Sequence, residues 1–170
     1  ASDVYKRQVW VKASPSFTPS PELYNGLRYQ PSKATDETRD LGPIIAEFIP
    51  AAQSHGLKVY FQIQSAIPPG YRVQFGGPIE DDRPLLPNGT EPDQTLDNNG
   101  SLASPHILDY GAALTTDLLQ NYPDIDGIRI DWPEIPPYFL ETVFTDCGPH
   151  VEQFARNNGF DFEDIRNLAN

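Results

Sequence analysis

Arg129, Asp131 and Glu134 stand close together in the segment DGIRIDWPE, Asp126 to Glu134. A carboxylate beside a guanidinium is held ionised. A carboxyl among apolar groups is pushed up and keeps its proton. Glycoside hydrolysis uses such a pair, about 5–5.5 Å apart for retention or about 6.5–9.5 Å for inversion. On this reading Asp131 is the ionised catalytic carboxylate and Arg129 its partner. Glu134, beside Trp132, Ile135 and two prolines, is the candidate acid. The plainer alternatives are an Arg129–Asp131 ion pair that only holds a strand end, and a solvated loop carboxylate at Glu134.

These residues need a strand to position them. Strand side chains alternate, so Ile128, Ile130 and Trp132 share one face while Arg129 and Asp131 share the other. The segment Leu57 to Ser65 repeats the split. Val59, Phe61 and Ile63 are its apolar face; Lys58, Tyr60, Gln62 and Gln64 are its polar face. Tyr60, Gln62 and Gln64 are therefore candidate substrate-binding residues, and Trp132, next to Asp131 in the chain, is a further one. A helical pattern precedes each strand, from about Asp36 to Ser54 and from Ser104 to Asn121. With a further strand at Val9 to Ala13, this predicts an α/β fold with about three βα units, a partial (β/α)8 TIM barrel over residues 9–170. Polar side chains at the carboxyl ends of such strands would line the barrel mouth. An ordinary sheet with one wet face is the alternative.

The helices carry their own punctuation. The stripe Leu41, Ile44, Ile45, Phe48, Ile49 and Ala52 marks the first, with Pro43 and Pro50 expected to delay or kink it and Gly56 to stop it. Ser104 and Pro105 open the next as N-cap and first residue. Ile107, Leu108, Gly111, Leu114, Leu118 and Leu119 are its expected apolar stripe. Asp109 reads as a helix-surface charge and Asp126 as a turn residue. Two more helices are expected, one over Pro149 to Asn157 and one capped by Asp161 with Phe162, Ile165 and Leu168 as its apolar face. The aperiodic stretch Ala66 to Ala103 is long enough to be functional or disordered. Its Tyr71 joins the candidate sugar-stacking residues, with Phe75, Arg72 and Arg83 nearby.

Composition narrows the classes. The net charge is −12 and Lys and Arg are not clustered, which argues against nucleic acid and anionic membranes as partners. No apolar run approaches transmembrane length. Cys147 is the only cysteine, so neither an internal disulfide nor a multi-cysteine zinc site can form. No phosphate-binding Gly loop, HExxH or GxSxG pattern occurs, and the reading requires no cofactor and no metal. Residues 2–8, SDVYKRQ, resemble a translated sequencing-adapter end, so residues 1–8 are expected to be an artefact or a disordered lead. A helical pattern that still runs at Asn170 adds to the expectation of a fragment.

The stretch from Asn99 through Ser104-Pro105-His106-Ile107-Leu108-Asp109-Tyr110 to Asp126-Gly127-Ile128-Arg129-Ile130-Asp131 resembles the centre of barrel glycoside hydrolases. It is distantly similar to the α-amylase superfamily and nearer to glycosyl-hydrolase-like barrel families. The resemblance implies a carbohydrate substrate, Asp131 as nucleophile, Arg129 as the residue that orients it, and Asn99 near the substrate. The Asp and Asn-His pair of the superfamily's earlier strand have no counterpart in VYFQIQSAIPP. Two other readings stand beside hydrolysis. One is a noncatalytic carbohydrate-binding barrel remnant. The other is a metal-dependent sugar-converting barrel enzyme that uses Asp131, Glu134 and His106 or His150.

Overall fold

The computed structural model describes residues 16–31, 33, 36–64, 78–91, 100–131 and 146–169. In chain order these form α1 (Pro21–Tyr24), α2 (Asp36–Ser54), β1 (Tyr60–Gln64), a 3-10 turn (Glu80–Asp82), α3 (Pro105–Asn121), β2 (Gly127–Asp131), α4 (Pro149–Asn157) and α5 (Phe162–Ala169). Among the described residues no helix is long and apolar enough to cross a membrane.

Local chemistry explains the helix limits. The Ser104 hydroxyl accepts from the backbone N–H of His106 and of Ile107, satisfying two donors that α3 cannot satisfy itself. Gly56 follows α2 with a φ of 77°, a conformation that favours glycine. Asp161 caps α5 by accepting from Glu163 and Asp164. Helix α2 spans Asp36–Ser54, the expected range, with Pro43 and Pro50 inside it and no late start.

Among the described residues the sheet has two parallel strands, in the register Tyr60 to Gly127, Gln62 to Arg129 and Gln64 to Asp131. Five helices and one strand pair make a mostly helical molecule among the described residues, which corrects the expected partial (β/α)8 TIM barrel of three βα units. The expected strand at Val9 to Ala13 lies outside the described residues. Polar–apolar alternation records only that one strand face is wet; it does not distinguish a barrel wall from a two-stranded ribbon. Here the wet face is open: Tyr60 is 58% exposed, and Gln62 and Arg129 are exposed beside it. Even Ile130, on the apolar face, is 49% exposed.

Helix α3 is the spine of two apolar clusters. Its first half places Ile107, Tyr110 and Ala113 against Tyr24 and Tyr29. Its end places Leu118 and Tyr122 with Phe17, Ile49, Val59 and Phe61. The Tyr122 ring meets Phe61 edge-on at 5.0 Å, so β1 is seated where α3 ends. The buried face of α3 is turned from the expected stripe: Leu108 and Leu119 are exposed, whereas Tyr110 and Asp117 are buried. In α2 only Ile49 and Ala52 are buried and Ile45 partly so; Leu41, Ile44 and Phe48 are exposed. In α5, Phe162 is buried while Ile165 and Leu168 are exposed.

Candidate functional site

The strand pair carries five of the sequence-predicted residues, from Tyr60 on its first rung to Gln64 and Asp131 on its last. The parallel register brings Gln62 beside Arg129, and Gln64 beside Asp131, at the last rung. Alternation sets Tyr60, Gln62 and Arg129 on one face. The Tyr60 ring covers Gly127; a Cβ there would lie 3.1 Å from Tyr60 Cε1. In open parallel sheets, ligands bind beyond the carboxyl ends of the strands. Glu134, Tyr71, Asn99 and Trp132 lie outside the described residues, as do Phe75 and Arg72. Arg83 is engaged elsewhere, with Glu91 at 2.8 Å and the Pro78 carbonyl at 3.3 Å.

The amino edge is fixed by Asp126. Its carboxylate accepts from Lys58 Nζ at 2.7 Å, Gln53 Nε2 at 3.0 Å and the Val59 N–H at 2.9 Å. The bonds from Gln53 and Lys58 hold the Asp126 carboxyl well below the usual carboxylate range.

A second concentration of ionisable groups lies in the turn that starts the segment 80–91. Glu80 takes a left-handed φ of 49°, uncommon for a residue with a side chain, and two aspartates follow it. Asp82 is fully buried. Its Oδ2 accepts from Arg28 Nη1 at 2.8 Å and from the Tyr29 hydroxyl at 2.7 Å. Its Oδ1 accepts from the Ser104 hydroxyl and lies 3.0 Å from His150 Nε2. Burial pushes the Asp82 carboxyl up, but the bonds from Ser104, Tyr29 and Arg28 outweigh burial and its pKa is lowered. Asp81 is lowered too, chiefly by its bond from Arg28 Nη1 at 2.5 Å. The same contacts raise Arg28, with Asp81 foremost. Burial, then the bond to Asp82, raises Tyr29.

Backbone bonds make this turn a frame for two helix starts. Ser101 N–H donates to the Asp82 carbonyl at 2.9 Å, leading into α3. Cys147 N–H donates to the Leu85 carbonyl at 2.7 Å, leading into α4. Gly148 comes so close that a Cβ on it would lie 2.9 Å from the Arg83 carbonyl oxygen. His106 and His150 each follow a proline as the second residue of their helix, so the frame sets the two imidazoles edge to face, 6.0 Å apart. Donor atoms of Asp81, His106 and His150 all lie within 4.8 Å of one another. Sequence reasoning saw Ser104 as a cap and the histidines only as partners for Asp131; it missed Arg28, Tyr29, Asp81 and Asp82. The available signal was the pair of helix openings Ser104-Pro105-His106 and Gly148-Pro149-His150.

The other fully buried carboxylate among the described residues, Asp117, is structural. Asp117 accepts from the Ser20 N–H at 3.2 Å, the Ser20 hydroxyl at 2.9 Å, Tyr24 at 3.1 Å and Asn121 at 3.2 Å, tying α1 to α3. Comparison with protein-family models, with curated proteins and with solved structures gives no match.

Proposed function

We propose that the chain belongs to a glycoside hydrolase whose reacting carboxylate is Asp131. The supporting observation is its position: the last residue of β2, in register with Gln64 at the carboxyl edge of a parallel pair. The reading needs no closed barrel. Arg129, two residues earlier in β2, is the cation that favours the ionised form of Asp131. Gln62 and Gln64 are hydroxyl-recognising neighbours and Tyr60 a stacking surface for a sugar ring. Glu134, three residues beyond Asp131, is the proton donor. The molecule acts on an oligo- or polysaccharide and requires no cofactor for the displacement itself.

The test is hydrolysis of a panel of aryl glycosides and oligosaccharides by the parent protein and by Asp131→Asn. Loss of a measurable activity by about 10³-fold or more supports the role, since a covalent or general-base carboxylate contributes on that scale. Arg129 is exposed, so Arg129→Ala should lower the same activity by about 10²-fold while leaving stability within about 0.5 kcal/mol. Unchanged hydrolysis in Asp131→Asn would end the proposal. Sugar binding without hydrolysis in either form would favour a noncatalytic carbohydrate-binding protein.

A further inference from the structure

We infer that Asp81, His106 and His150 form a binding site for a first-row divalent transition-metal cation of the Zn²⁺ class. The three residues come from three separate elements, the 3-10 turn and the first turns of α3 and α4, and converge within 4.8 Å. A cation of this class takes imidazole nitrogen at about 2.0–2.1 Å and carboxylate oxygen at about 2.0–2.2 Å. Donors around one ion therefore stand about 3–4 Å apart, and the cluster reaches that spacing by a contraction of about 1–2 Å at most. Two imidazoles and one carboxylate favour such a metal over Mg²⁺ or Ca²⁺, which prefer all-oxygen shells.

The surroundings are arranged for a ligand set. Asp82 accepts from Arg28, Tyr29 and Ser104, and its Oδ1 lies 3.0 Å from His150 Nε2. Its Oδ1 approaches the same His150 nitrogen that faces Asp81, so Asp82 borders the cluster and adds negative charge to it. Asp81 differs. Arg28 occupies its Oδ1, while its Oδ2 points to His150 Nε2 at 3.4 Å. The charge also favours a cation: Glu80, Asp81 and Asp82 surround the single guanidinium of Arg28. Three protein donors leave a fourth position for water, the pattern of an open rather than a closed zinc site. This inference is independent of Asp131 and would survive the failure of the hydrolase reading.

The test is titration of the chelator-stripped protein with Zn²⁺ by calorimetry, repeated with Co²⁺ by visible absorption. The expected result is saturable one-to-one binding with a tetrahedral or five-coordinate Co²⁺ spectrum. His106→Ala and Asp81→Asn should each weaken binding by more than about 100-fold, beyond the usual loss for an orienting residue. His150→Ala should do the same; circular dichroism checks its fold, because His150 also holds Asp82. His55→Ala, on the exposed turn after α2, removes the one remaining histidine and should leave binding unchanged. Absence of one-to-one binding, or binding that persists in His106→Ala, would overturn the inference.

Discussion

Asp126 and Val59 exchange two hydrogen bonds: the Val59 N–H donates to the Asp126 carboxylate and the Asp126 N–H donates to the Val59 carbonyl, both at 2.9 Å. The exchange stands one residue before the first rung of the ladder, Tyr60 with Gly127. It adds a side-chain rung to a short parallel pair. A turn residue thereby sets the register that brings Gln64 level with Asp131.

The Asp126 carboxyl should shape acid unfolding. Its folded pKa is depressed by Gln53, Lys58 and the Val59 N–H, below the unfolded value of about 3.9. A depressed carboxyl stabilises above its unfolded pKa, and that contribution is lost as pH falls through the folded one. Asp126→Asn should therefore unfold more easily than the parent at neutral pH. The difference in melting temperature should shrink as pH drops from about 5 to about 2. A constant difference across that range would show that the interaction does not depend on charge.

Asp117 lies in the interior among neutral donors. Asp117→Ala would strand the hydroxyls of Ser20 and Tyr24 and should cost about 2–3 kcal/mol in urea unfolding. A loss below about 1 kcal/mol would mean that solvent replaces the lost acceptor.

Tyr29 and Ser104 donate to different oxygens of Asp82. Tyr29→Phe also removes the acceptor of the Ile79 N–H, and Ser104→Ala also removes the cap of α3. Each should cost about 1–2 kcal/mol. Because both act on one carboxylate, a double-mutant cycle should show coupling of about 0.5 kcal/mol or more. Strict additivity would contradict a shared network.

Two helical glycines should respond oppositely to alanine. At Gly42 in α2 a Cβ would sit 2.5 Å from the Ser16 carbonyl oxygen, so Gly42→Ala should cost about 1–3 kcal/mol. At Gly111 in α3 no atom lies within 4 Å of the added Cβ, and Gly111→Ala should gain about 0.5–1 kcal/mol. Thermal unfolding of the two variants decides both.

Signals that act over a few residues were legible. Ser104-Pro105 and Gly56 mark helix ends through backbone groups close by, and the bounds of α2 and α3 follow from them. The opposed faces of β1 and β2 were legible because alternation is local. The barrel was misread because alternation carries no count of strands. The stripes of α2 and α3 were misread in part because which side of a helix is covered depends on its neighbours. Asp82 was invisible for a related reason: its partners Ser104, Tyr29 and His150 stand 22, 53 and 68 residues away. Nothing in the aperiodic segment around Asp82 announces them.

Those same separations bear on the order of folding. Bonds that span tens of residues must close large loops before they return any energy, so they form after local helices and nearby pairings. The network around Asp82 should therefore form late, after the transition state. Weakening it should leave the folding rate nearly unchanged and speed unfolding, so the cluster governs how long the native state lasts rather than how fast it is reached.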